Sequence, residues 1–196
     1  FCYLCTNCEE HNTMNSEPKS VLMDKNVVEF TTVAVEFCHF LESTETRSRR
    51  NFVDVALKLL PLLYLKASLI EPLEMEEEME LEEAVTEDTY EVLRMAIAQV
   101  MGEQDDYLDV FVQEMKYSDK PVLKTISEDL ADIYQDISNF LFVFRMGLET
   151  TMHDALAQVQ QHFEMYWGQT LVNTLRALHD VRYHQTIEEE QTDTLY

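Results

Sequence analysis

Glycine and proline are scarce in this 196-residue chain, at three and four residues, against a usual combined share of about 12%. Gly102, Gly147 and Gly168 each stand alone. Their isolation excludes a dinucleotide fingerprint, a P-loop and a nucleophile elbow. Many-turned β sandwiches and barrels are excluded too, because their turns need residues that tolerate positive φ. Positive charge is equally short: 14 Lys and Arg face 38 Asp and Glu, a net charge of −24. Sequence-independent nucleic-acid binding does not fit that balance.

Long apolar runs are missing as well. The longest, around Leu59–Leu65 and Phe140–Phe144, are too short to span a bilayer, so no membrane partner is expected. No basic stretch followed by an apolar one opens the chain, so no signal peptide is read. Of four cysteines, Cys2, Cys5 and Cys8 crowd the start and Cys38 falls on an apolar helical face. This is no disulfide framework, and a reducing cytoplasm is the expected compartment. Cys2, Cys5, Cys8 and His11 are four soft ligands at three-residue spacing, a pattern able to hold zinc or an iron–sulfur cluster. Structural zinc sites, however, pair two separated knuckles. Residues 1–23 are therefore expected to be a disordered or spurious N-terminal segment.

What is present is helical periodicity. Val27, Phe30, Ala34, Phe37, Cys38 and Leu41 line one face of a helix expected from Asp24 to Glu42. A second is expected from a cap near Thr46 to about Ile70, with Pro61 kinking it. Residues 71–91 carry eleven acids and no Lys or Arg, and their first half reads as a solvated acidic loop. Thr86 caps a third helix that Gly102 ends. Residues 103–117 read as a helical turn or two.

The longest helix is expected to begin around Asp119–Pro121. Its seam is Ile126, Leu130, Ile133, Ile137, Phe140 and Phe144, at alternating four- and three-residue steps. A last helical stretch, Thr151 to Tyr183, is bent or divided at Gly168, and the acidic tail 185–196 reads as disordered. The expectation is an all-α, single-domain bundle of five to seven helices over residues 24–184.

Several groupings carry possible chemistry. Glu36 and His39 form the Glu-x-x-His unit of di-iron bundles. No second copy exists, and both fall on the polar side of their helix. Asp105, Asp106 and Asp109 spell Asp-Asp-x-x-Asp, which binds Mg²⁺–diphosphate only when its carboxylates share a helical face. In so acidic a chain such a cluster is expected by chance. The six histidines share no spacing, and Tyr166 and Trp167 beside Gly168 read as a core layer or helix joint.

Asp129, Asp132 and Asp136 are spaced to stack along one helical flank. Their mutual repulsion is a cost that a cation or a basic partner would relieve. Arg47, Arg49 and Arg50 gather at a helix N-terminus, where cations are unfavourable but free backbone donors welcome anions. An internal acidic partner, such as the Glu74–Glu83 run, or an external phosphate or carboxylate would satisfy them.

Two resemblances follow from these strings. Glu128-Asp-Leu-Ala-Asp-Ile resembles the Glu-x-x-Asp helix of all-α nucleoside triphosphate pyrophosphohydrolases, with Asp129 where Glu is usual. That likeness implies Mg²⁺ held with a Glu-x-x-Glu helix, for which Glu77/Glu80 and Glu80/Glu83 are the candidates. Residues 26–42, 56–69, 117–140 and 166–183 resemble an uncharacterised helical family of Bacteroidetes catalogued as domain of unknown function 5063. It implies a helical domain in a cytoplasmic bacterial protein and supplies no catalytic residue or cofactor. The leading expectation is a non-catalytic interaction or regulatory protein with a protein partner and no cofactor. The alternative is the Mg²⁺-dependent pyrophosphohydrolase-like enzyme.

Overall fold

The computed structural model describes residues 21–76, 81–109 and 122–184. The Cys2–His11 set, Glu77, Glu80, Pro121 and the tail 185–196 lie outside them. The elements run α1 (Lys25–Glu42), α2 (Arg49–Ser68), α3 (Glu87–Met101), β1 (Asp106–Asp109), β2 (Val122–Thr125), α4 (Ile126–Arg145), α5 (Glu149–His162) and α6 (Gly168–Tyr183). A π turn, Phe163–Trp167, joins the last two. This is an all-α bundle with one two-stranded ribbon attached.

Capping explains most boundaries. Asp24 starts α1, its carboxylate accepting from the Asn26 N–H at 2.8 Å. The next helix starts at Arg49, capped by Ser48, rather than from Thr46. The reason is local: the Thr44 hydroxyl donates back to the Leu41 carbonyl at 2.6 Å and Thr46 to Ser43 at 2.9 Å. Both hydroxyls close the end of α1 in a short 3-10 turn and leave the forward cap to serine. Pro61 lies within α2, which runs on to Ser68. Its missing donor falls on the exposed side of the helix. Thr86 and Gly102 bound α3 as expected, the glycine at a φ of +56° that favours its residue type.

The expected helical turns after Gly102 are in part a strand. Asp106–Asp109 pairs antiparallel with Val122–Thr125, Tyr107 opposite Lys124. The long helix therefore begins at Ile126, not near Pro121. Thr125 caps it by accepting from the Glu128 N–H at 3.2 Å. The Asp105 carboxylate takes the Ser127 N–H at 2.8 Å and its hydroxyl at 2.6 Å. Those donors are held by residues before the helix, so the chain enters it extended.

Helix α4 is the axis of the bundle, packed by α1, α3, α5 and α6. Its seam from Ile126 to Phe140 is buried as expected, and Phe144 packs at the edge. Phe140 meets Phe30 of α1 with ring centres 5.5 Å apart. Burying each such side chain contributes about 1.5–3 kcal/mol. At the joint before α6, a Cβ on Gly168 would sit 2.5 Å from the Phe163 carbonyl oxygen. Any larger residue would force the π turn to shift, and that turn seats Trp167 in the core with its indole N–H on the Val159 carbonyl at 3.0 Å. No helix among the described residues is long and apolar enough to cross a membrane.

Candidate functional site: an acidic cleft beside helix α4

The three stacked aspartates face inward, toward α3, the ribbon and the α5–α6 stretch. Asp132 accepts from two tyrosines at 2.6 Å each, Tyr90 of α3 on Oδ1 and Tyr166 of the π turn on Oδ2. Asp136 is hydrogen-bonded to His162 Nδ1 at 2.7 Å. Asp129 is 3% exposed. Its Oδ2 accepts from Tyr107 of β1 in a short hydrogen bond and from the Thr174 hydroxyl at 3.1 Å. Lys124 of β2 sits between Asp129 and the buried Asp109, 3.6 and 3.8 Å from their carboxylates.

The repulsion expected from this spacing is thus met by hydrogen-bonding groups from five other elements, with Lys124 of β2 as a sixth contributor. Burial still pushes the Asp129 carboxyl above the ordinary aspartate value, against the pull of Tyr107, Lys124 and Thr174. Asp136 is raised for the same reason, with His162 opposing. Tyr90, Tyr107 and Tyr166 are raised by burial and by the carboxylates they serve. They remain neutral donors across the working pH range.

A cavity of about 480 Å³ opens along the Asp132–Asp136 part of this flank. Phe140, Val143 and Val159 contribute apolar wall, and Gln135, Asn139 and Gln158 contribute amides. Among the described residues its charged lining is Glu82, Glu83, Asp132 and Asp136, with His162 as the one basic group. The glutamates arrive there because the acidic loop is tied down. Asn139 Oδ1 accepts from the Ala84 and Val85 N–H groups at 2.9 and 3.0 Å, and Asp154 accepts from the Glu76 N–H at 2.7 Å. Asp129 is not part of this lining; it belongs to the ribbon side of α4. Among the described residues no three His, Cys, Asp or Glu side chains are placed to share a metal ion.

The other sequence candidates lie elsewhere. Asp105, Asp106 and Asp109 occupy a turn and a strand, so the helical face that Asp-Asp-x-x-Asp chemistry needs is absent. Glu36 and His39 are exposed on α1, as their wheel positions indicate. Arg47 donates to Asn51 and Ser43, and Arg49 to the Met101 carbonyl at 3.2 Å. Arg50 acts on the nearby Asp54, whose carboxyl is held below its ordinary value mainly by Arg182. The described part of the acidic run lies against α4 and α5, so it is not the partner of the arginines. Trp167 is the core residue expected, whereas Tyr166 is 47% exposed and reaches the cleft. The tyrosines, His162, Thr174 and Lys124 carry no local signal, because the hydrogen-bonding ones stand 22 to 45 residues from their aspartates.

The chain belongs to the family described as a domain of unknown function, DUF5063, whose model matches residues 21–184. It is 54% identical to protein BF1032 from Bacteroides fragilis, whose crystal structure aligns with a TM-score of 0.75 over 84% of this chain and 96% of that one. No curated protein matches the chain.

Proposed function

We propose that this protein is a non-catalytic interaction module of a bacterial cytoplasm, whose acidic cleft receives a lysine or arginine side chain of a protein partner. The observation that carries this reading is the cleft's charge: among the described residues, Glu82, Glu83, Asp132 and Asp136 line it with no Lys or Arg. A volume of about 480 Å³ suits a long side chain with its neighbours, within the usual range of about 300–1,000 Å³ for ligand pockets. Apolar wall for the methylene stem and carboxylates for the head match the amphipathic character of lysine and arginine. The buried, unpaired thiol of Cys38 suits a reducing compartment.

The alternative, an Mg²⁺-dependent phosphohydrolase using Asp129, Asp132 and Asp136, has less support. Asp129 is turned to the ribbon with Tyr107, Thr174 and Lys124, away from the cleft that Asp132 and Asp136 line.

Titration of ¹⁵N-labelled protein with a lysine-containing peptide tests the proposal. Shifts are expected at the side-chain amides of Gln135, Asn139 and Gln158, and they should weaken in Glu82→Gln/Glu83→Gln. Shifts confined to other surfaces would overturn it.

A further inference from the structure

The outer groove between α1 and α2 carries the opposite charge. A cavity of about 350 Å³ there is walled by Phe40, Val55, Leu59 and Leu62, and it gathers Arg47, Lys58 and His39, with Glu36 as its one acid among the described residues. In a chain with 14 Lys and Arg against 38 acids, two of those cations and a histidine around an apolar hollow run against composition.

Arg47 is the best-defined of the three. Its guanidinium lies over the Phe40 ring, 5.1 Å from the centroid. Nη1 donates to Asn51 Oδ1 and Nη2 to Ser43 Oγ, each at 3.2 Å. Both acceptors are neutral, and the buried Nε has no acceptor among the described residues. Among the described residues no carboxylate comes within ion-pair distance of Arg47 or Lys58. The guanidinium is therefore held in place by stacking and two hydrogen bonds while its charge stays uncompensated. Pre-organised and unpaired, it is suited to a carboxylate, which it can engage with paired donors.

We propose that this groove binds a small amphipathic carboxylate, its apolar tail against Phe40, Val55, Leu59 and Leu62 and its head between Arg47 and Lys58. The hollow is at the lower end of the small-molecule range of about 300–1,000 Å³, which limits the tail to a short chain or a single ring. The same chemistry is offered by a free organic acid and by the C-terminus of a peptide ending in an apolar residue. This site is independent of the acidic cleft, since the two share no lining residue.

The test is an NMR titration of the full chain with octanoate, octan-1-ol and octylamine, which share a tail and differ in charge. Octanoate is expected to bind saturably, with shifts at residues 36–40, 47 and 55–62, and at least about tenfold tighter than octanol, as charge-assisted hydrogen bonds imply. Lys58→Gln, an exposed change, should remove several-fold of that advantage, and Arg47→Gln with it should remove the rest. If Arg47→Gln fails to fold, Lys58→Gln decides alone. An acetylated Leu-Phe dipeptide with a free or an amidated terminus distinguishes the two sources: a free-acid dipeptide tighter than octanoate identifies a peptide end, and the reverse identifies a free acid. The proposal is overturned if octanol or octylamine binds as tightly as octanoate, if the shifts fall outside the groove, or if octanoate does not saturate.

Discussion

Tyr166 Oη donates to Asp132 Oδ2 at 2.6 Å across 34 residues of chain. The π turn makes this contact possible by turning Tyr166 toward α4 while the next residue, Trp167, enters the core. A hydrogen bond to a charged acceptor contributes about 1.5–3 kcal/mol in favourable surroundings. Tyr166 is half exposed, so the low end applies. Tyr166→Phe and Tyr90→Phe should each lower unfolding stability by about 1.5 kcal/mol. The double variant should cost more than their sum, because Asp132 then loses both partners. Urea denaturation of the three variants gives the coupling directly.

The joint itself depends on Gly168. Gly168→Ala places a methyl 2.5 Å from the Phe163 carbonyl oxygen, and overpacking of this kind costs about 1–3 kcal/mol. Gly147→Ala meets no atom within 4 Å and bears only the left-handed penalty of about 1–2 kcal/mol at φ +78°. Gly168→Ala should also weaken the fluorescence signature of a buried Trp167, which Gly147→Ala should leave intact.

Asp129 sets a pH dependence of definite sign. Its folded pKa lies above the unfolded value because burial disfavours its charge. A raised carboxyl contributes stability below the unfolded aspartate value of about 3.9 and loses it as pH rises through the folded value. Asp129→Asn has no such titration. The stability difference between the two proteins should therefore shift in favour of the asparagine form as pH rises through that window. Denaturation curves taken in steps upward from about pH 4 measure it.

The acidic loop is held by few bonds, and Asn139 supplies two of them. Asn139→Ala should raise hydrogen exchange at the Ala84 and Val85 amides by about tenfold, the equivalent of roughly 1.4 kcal/mol, while the core amides of α4 remain protected. Equal exchange in both proteins would mean that the loop is fixed by other contacts.

Much of the fold was legible because helices announce themselves locally. The apolar stripe of α1, the Thr86 and Gly102 boundaries of α3 and the Ile126–Phe140 seam depend on neighbours within a few turns. The ribbon was not legible. Val122–Thr125 is a short run whose strand character comes from pairing with Asp106–Asp109, and a helical period describes so short a segment equally well. The α2 start was missed because Thr46 is a good cap whose hydroxyl is taken by Ser43.

The site was half legible. Spacing placed three aspartates on one flank and recognised their repulsion, yet the relief comes from Tyr90, Tyr107, His162, Tyr166 and Thr174, which only tertiary packing brings near. The same packing separates Asp129 from the cleft.

The central claim is that the cleft selects positive charge, and calorimetric titration with two matched peptides tests it most directly. One carries a central lysine and the other the same residue acetylated, which keeps the stem and removes the charge. Binding of the lysine peptide at least about tenfold tighter, with that advantage reduced in Glu82→Gln/Glu83→Gln and by added salt, is the predicted result. Equal affinity for the two peptides, or an advantage that the double variant leaves unchanged, would contradict it.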